Sequence, residues 1–237
     1  MYKRLMSSQL HKKLVAEFIG TFALVLVGCG AVMVNATTGG ALGHGGICAA
    51  FGLVIMVMIY ATGHISGAHF NPAVTVAFAA IERFRWSEVL PYVVSQCVGA
   101  TVASFVLAGV LGEVAGMGGT TFEIGWMSAT VVEFLFTFAL MFVITAVATD
   151  ARAEGAMAGL AIGGTVAMAA LVGGPLTGAS MNPARSMGPA MVAGPTLQLA
   201  LYMVVPVLGA VSGARVYRWM QSCPPLEDSD ADAGGCC

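Results

Sequence analysis

The chain has 237 residues, of which 58% are apolar and 9% charged, and its net charge is −2. Soluble domains carry about 25% charged residues, so this composition cannot cover a water-facing surface and excludes a soluble fold. The sequence shows no basic cluster for nucleic acid and no paired-cysteine metal spacing, and no cofactor is expected.

In chain order, residues 1–13 hold Lys3, Arg4, Lys12 and Lys13 and read as a short cytoplasmic segment. A bilayer core takes about 20 mostly apolar residues per helix. Six such runs follow, at 14–36, 44–63, 88–110, 126–149, 156–174 and 197–218. The first is too long for a signal-peptide core and lacks a cleavage site, so it is expected to be a retained helix. Residues 111–125 connect two halves, a first repeat at 14–110 and a second at 126–218. The acidic, Pro- and Gly-rich end, 219–237, is expected to be a disordered cytoplasmic tail. Cys29, Cys48 and Cys97 lie in apolar runs, where a thiol usually acts as a small hydrophobe. Cys223, Cys236 and Cys237 do not fit the prenylation box.

Threading six spans through a membrane places Lys3, Arg4, Lys12, Lys13, Arg83, Arg85, Arg152, Arg215 and Arg218 on one face. The other face carries Glu113 and Glu123. Positive residues mark the cytoplasm, so both termini are assigned there and 111–125 outside, in a plasma or inner membrane. Arg185 alone breaks the pattern.

The chain also repeats itself. "AEFIGTFAL" at 16–24 matches "VEFLFTFAL" at 132–140, and "SGAHFNPAVT" at 66–75 matches "TGASMNPARS" at 177–186. Each half has three spans, so the second enters from the opposite face, and inverted repeats place their site near the midplane. Asn71 and Asn182 each precede a proline. Asn is a favoured N-cap and Pro a favoured first helical residue, so Asn71–Pro72–Ala73 and Asn182–Pro183–Ala184 each open a helix. The residues that follow suit two to three turns, about half a bilayer. The Gly-rich stretches before each Asn cannot be ordinary helix, and such backbone is tolerated at membrane depth only when buried in protein or lining a wet cavity. Its carbonyls at Gly67, Ala68, His69, Phe70, Gly178, Ser180 and Met181 would then face a polar solute, with the two Asn amides as central donors.

These motifs resemble the aquaporin, or major intrinsic protein, superfamily over roughly residues 10–220, and look closest to its nodulin-26-like branch and bacterial relatives. The resemblance implies an all-α polytopic fold: six transmembrane helices plus two re-entrant half-helices in an inverted 3+3 repeat. It also implies a homotetramer with one pore per subunit. Glu17 and Glu133 are costly inside membrane helices and therefore suspicious; the resemblance makes them, with His64, braces for the pore loops. It assigns a narrow constriction to Phe51, Ala170, Ala179 and Arg185. Strict water channels usually carry His where this chain has Ala170, so the ring should be wide. Glycerol facilitators usually carry Asp and a basic residue where Ser186 and Ala190 stand. The expectation is a passive pore for water, glycerol-like polyols and metalloid hydroxides such as arsenous or boric acid.

Protons and ions would be refused by two half-helix N-termini of about +0.5 charge each, together with Arg185. The alternatives are a strict water channel or, from a different class, an ion-coupled secondary transporter, which would need a titratable site in its path. An enzyme is not expected, because the hydroxyls near the motifs lack a paired acid and base.

Overall fold

The structure is a computed structural model that describes residues 2–149 and 155–221, with side chains from residue 9 onward. Six long helices form: α1 (Tyr2–Thr37), α2 (Gly43–Ser66), α4 (Trp86–Leu111), α5 (Trp126–Thr149), α6 (Ala158–Thr177) and α8 (Leu199–Gln221). Each contains a stretch long and apolar enough to cross a membrane. Two short helices, α3 (Pro72–Ala80) and α7 (Pro183–Ala193), complete the set. No strand occurs among the described residues.

The spans match the hydropathy reading, with three differences. Helix α1 begins at Tyr2, so 1–13 is not a separate segment; the polar residues through Lys13 continue the same helix. Helices α2 and α6 run three residues beyond their expected ends, to Ser66 and Thr177, because each closes on a left-handed glycine. Helix α8 reaches Gln221, inside the stretch expected to be disordered. The rest of that tail, with Cys223, Cys236 and Cys237, lies outside the described residues, as does Arg152.

The internal repeat is visible in the packing. α1 lies against α4 and α5 against α8, one such pair in each half, and α2 packs on α6 across the seam between halves. That seam is tight because Gly52 and Gly163 face each other. A Cβ on Gly52 would stand 2.6 Å from the Gly163 carbonyl oxygen. Small residues bring helix backbones together in membranes, where dispersion and weak polar contacts replace the hydrophobic drive. α3 and α7 both rest against α4 and α8, which suspends the two short helices inside the bundle.

Candidate functional site

The two loops before the short helices share one backbone design. Gly67 (φ 87°) and Gly178 (φ 76°) end α2 and α6, and their N–H groups donate to Gly63 and Gly174 carbonyls at 2.9 Å. Positive φ then recurs at Ala68 (51°) and Phe70 (49°), and again at Ala179 (42°) and Met181 (50°). Such angles are uncommon for residues with a Cβ and persist only where surroundings over-determine them.

Asn71 and Asn182 then start the short helices. The Asn71 Oδ1 accepts from Ala73 N at 2.9 Å; the Asn182 Oδ1 accepts from Ala184 N at 3.0 Å and Arg185 N at 3.3 Å. The amide nitrogens cross between halves. Asn71 Nδ2 donates to the Met181 carbonyl and Asn182 Nδ2 to the Phe70 carbonyl, both at 2.8 Å. The sequence reading left these amides and carbonyls all free for a solute. The structure instead joins them in pairs, leaving one N–H on each amide. The carbonyls of Gly67, Ala68, His69, Gly178, Ala179 and Ser180 accept no hydrogen bond among the described residues. Pro72, Ala73, Pro183 and Ala184 are buried and do not border the cavity; they set the helix starts.

Two buried carboxylates hold these loops. Glu17 accepts from Ser66 Oγ (2.7 Å), His69 N (3.0 Å), Phe70 N (2.7 Å) and Gln96 Nε2 (2.8 Å). Glu133 accepts from Thr177 Oγ1 (2.6 Å), Ser180 N (2.9 Å) and Met181 N (3.0 Å). Tyr92 and Tyr202 donate to the Ser66 and Thr177 carbonyls at 2.9 and 2.7 Å. His64 does not share this work. It is exposed on the cavity wall, and its side chain makes no hydrogen bond among the described residues. The bracing histidine is His69, whose Nδ1 meets Thr75 Oγ1 at 3.1 Å and whose ring packs among Phe78, Phe84 and Tyr92.

One cavity of about 880 Å³ borders residues from His44 to His64 on α2 and from Ala158 to Leu176 on α6. It therefore extends over nearly the full length of both helices, and both Asn side chains face it. Phe51, Ala170, Ala179 and Arg185 all border it. The Arg185 Cζ sits 4.9 Å from the Phe51 ring centroid, within cation–π range. Ala170 and Ala179, which line the same cavity, carry only methyl groups. Phe51 rests on Gly28, where a Cβ would overlap its ring.

Arg185 is 3% exposed. Its Nη1 donates to the Gly118 carbonyl at 2.9 Å and lies 3.4 Å from Cys29 Sγ, while its buried Nε has no partner among the described residues. The sequence reading treated 111–125 as a connection only. In fact it turns inward. Gly118 (φ 63°) sits against the Cys29 backbone, and Thr120 donates to Ser186 Oγ at 2.7 Å. Gly118, Thr120, Cys29 and Gln96 were all missed. The one signal for the loop is its "GMGG" at 116–119, which suits a tight turn into a crowded place.

The arrangement is a cavity with a largely apolar wall, a fixed guanidinium beside Phe51, loop carbonyls and two Asn amides along it, and two helix N-termini meeting at its middle. Each terminus carries about half a positive charge, so a cation meets positive potential while losing its hydration. The cavity thus offers carbonyl acceptors in series and one amide N–H from each Asn to a hydroxyl-bearing group.

Comparison with known proteins gives a consistent picture. The family model described as "Major intrinsic protein" matches residues 4–217. The chain is 52% identical to aquaporin NIP1-2 of Oryza sativa subsp. japonica over 223 residues, covering 91% of this chain and 74% of the relative. It is 50% identical to the putative aquaporin NIP4-1 of Arabidopsis thaliana, covering 88% and 74%. Its fold is similar to the X-ray structure of the aquaglyceroporin from Plasmodium falciparum: TM-score 0.76, 24% identity, and coverage of 88% and 95%.

Proposed function

This chain belongs to the major intrinsic protein family, and on that premise we propose that it is a passive channel for water and small uncharged solutes that refuses protons and ions. The solute range extends to glycerol-like polyols and to metalloid hydroxides such as arsenous and boric acid. The observation that carries this range is the lining of the cavity: two alanines, Ala170 and Ala179, border it together with the Phe51–Arg185 pair, and we read these four as its constriction. Methyl groups leave room for a three-carbon polyol, and Arg185 leaves one charged donor to turn its hydroxyls.

Relatives named aquaporin, at about half identity, support conduction of water. Nine of the ten basic residues on one face of the threading support termini in the cytoplasm, in a plasma or inner membrane. The homotetramer follows from the family resemblance; the exposed apolar residues on the spans, such as Leu53, Val57 and Val172, suit lipid or a further copy of the chain alike.

The test is stopped-flow light scattering on proteoliposomes, with water and glycerol in parallel, for the wild type and Ala170→His. A wild type that passes glycerol, beside a mutant at least tenfold poorer for glycerol yet within threefold for water, supports the wide ring. A wild type that passes water alone sinks the polyol and metalloid range and leaves a strict water channel.

A further inference from the structure

The cavity wall on α2 includes a stripe of His44, Cys48, Phe51, Ile55 and Ile59, at the spacing of one helix face. Phe51 belongs to the constriction already described. His44 and Cys48 lie beyond it, toward the helix start and away from the basic face. Seven residues at 1.5 Å each put His44 about 10 Å from Phe51 along the axis. Neither residue has a part in bracing the loops or holding Arg185.

The His44 ring is fixed across the seam. Its Nε2 lies 2.8 Å from the Leu171 carbonyl oxygen on α6, next in sequence to Ala170. Gly174 makes room for it, since a Cβ there would sit 3.0 Å from the ring Cε1. A carbonyl cannot donate, so Nε2 carries the proton, and Nδ1 of the neutral ring is an acceptor. The Cys48 Sγ lies 3.8 Å from Nδ1 and 3.6 Å from Nε2, so this weak donor is not aimed at Nδ1, and a hydroxyl outcompetes it there. An exposed imidazole is thus held at the cavity mouth with one good bond to protein and one under-used acceptor.

We propose that His44, with Cys48 beside it, forms an outer binding subsite for hydroxyl-bearing neutral solutes, one stage before the constriction. The inference rests on the proposed solute range. A polyol leaving water must exchange its hydration for protein contacts before it reaches a ring in which α6 offers only the Ala170 methyl. The imidazole supplies an acceptor at that stage, and the hydroxyl passes next to the loop carbonyls and Arg185. Water, which loses little in the exchange, depends on it least.

The experiment reconstitutes the full chain as wild type, His44→Ala and His44→Gln, and measures water and glycerol permeability on the same vesicles. Thermal unfolding of each variant in detergent checks the fold. The expected result is a glycerol-to-water ratio that falls about threefold to tenfold in His44→Ala, the size of one net hydrogen bond. Water should stay within twofold, and His44→Gln, which keeps an amide donor and a carbonyl acceptor, should recover much of the ratio. An unchanged ratio against a glycerol-permeable wild type overturns the subsite while leaving the wide ring standing. A ratio that rises makes His44 a steric plug and also overturns it. A wild type impermeable to glycerol overturns the solute range and the subsite together. Loss of both fluxes with a lowered unfolding temperature assigns His44 to the α2–α6 seam instead.

Discussion

The two halves solve the same problem with different residues. In the first, the loop residue His69 meets Thr75, and Gln96 of α4 bridges Glu17 to that same Thr75 at 2.8 and 3.0 Å. In the second, the matching loop residue is Ser180 and the matching hydroxyl is Ser186, 2.5 Å apart. "QCVGATVAS" at 96–104 resembles "PVLGAVSGA" at 206–214, so the place matching Gln96 is Pro206, which has no donor. The missing contact comes from outside the repeat, from Thr120 of the inward-turned loop. After the motif, Val74 borders the cavity in the first half and Arg185 in the second. The lesson is a division of labour. The first half braces its loop with its own residues and places an apolar Val74 where the second places Arg185. The second half carries the charge and is completed by a borrowed segment.

The sharpest way to break this asymmetry is Arg185→Val, which makes the second half copy the first. The fixed charge at the ring disappears. Proton or alkali-cation leak into vesicles, read with a pH-sensitive or potential-sensitive dye, should rise at least tenfold while water flux persists. A tight mutant would assign ion exclusion to the two helix N-termini alone.

Next in size are the carboxylates. Glu17→Ala strands the buried His69 and Phe70 N–H groups, and Glu133→Ala strands those of Ser180 and Met181. Each orphaned buried donor costs about 1–3 kcal/mol. Both variants should therefore unfold several degrees lower in detergent. Glu17→Ala should lose more, since Glu17 gathers four donors against three for Glu133. Equal losses would mean that Gln96 contributes nothing to the first brace.

A smaller effect is expected at the seam that joins the halves. Gly52→Ala drives a methyl group to 2.6 Å from the Gly163 carbonyl oxygen, and overpacking of this kind costs about 1–3 kcal/mol. Unfolding temperature should fall, and both water and glycerol permeability should change, because α2 and α6 are the cavity walls.

The smallest contrast compares the two bridging groups. Thr120→Val leaves Ser180 and Ser186 bonded to each other and should cost about 1 kcal/mol. Gln96→Leu removes two hydrogen bonds but also an orphaned buried oxygen, Oε1, so its loss should be no larger. Chemical denaturation of the two variants side by side decides this. A Gln96 loss well above that of Thr120 would show a first brace more strongly coupled than its bond count.

Much of this was legible in the chain. The spans follow from hydropathy because a bilayer demands length and apolarity together. The half-helices follow from Asn-Pro, because N-capping is local chemistry: Asn71 and Asn182 accept from the residues they were expected to cap. Counting along α2 and α6 without gaps brought Phe51 and Ala170 to the wall of the cavity that Arg185 also borders, because the face presented by a rigid helix follows from residue number. His64 was misplaced for the opposite reason. It ends a helix beside the loop, and nothing in its neighbours along the chain tells a bracing side chain from one facing the cavity.

The sequence by itself determined the membrane class, the six spans, the inverted repeat and the positions where two short helices begin. All of these depend on composition and on contacts within a few residues. Only the tertiary structure decided that the Asn amides spend a donor on each other's loops, that Gly118 and Thr120 leave their connection to hold Arg185 and Ser186, and that His44 reaches Leu171 across the seam. Those contacts join residues from 66 to 127 positions apart. Their geometry is set by where whole helices come to rest, and no local pattern records it.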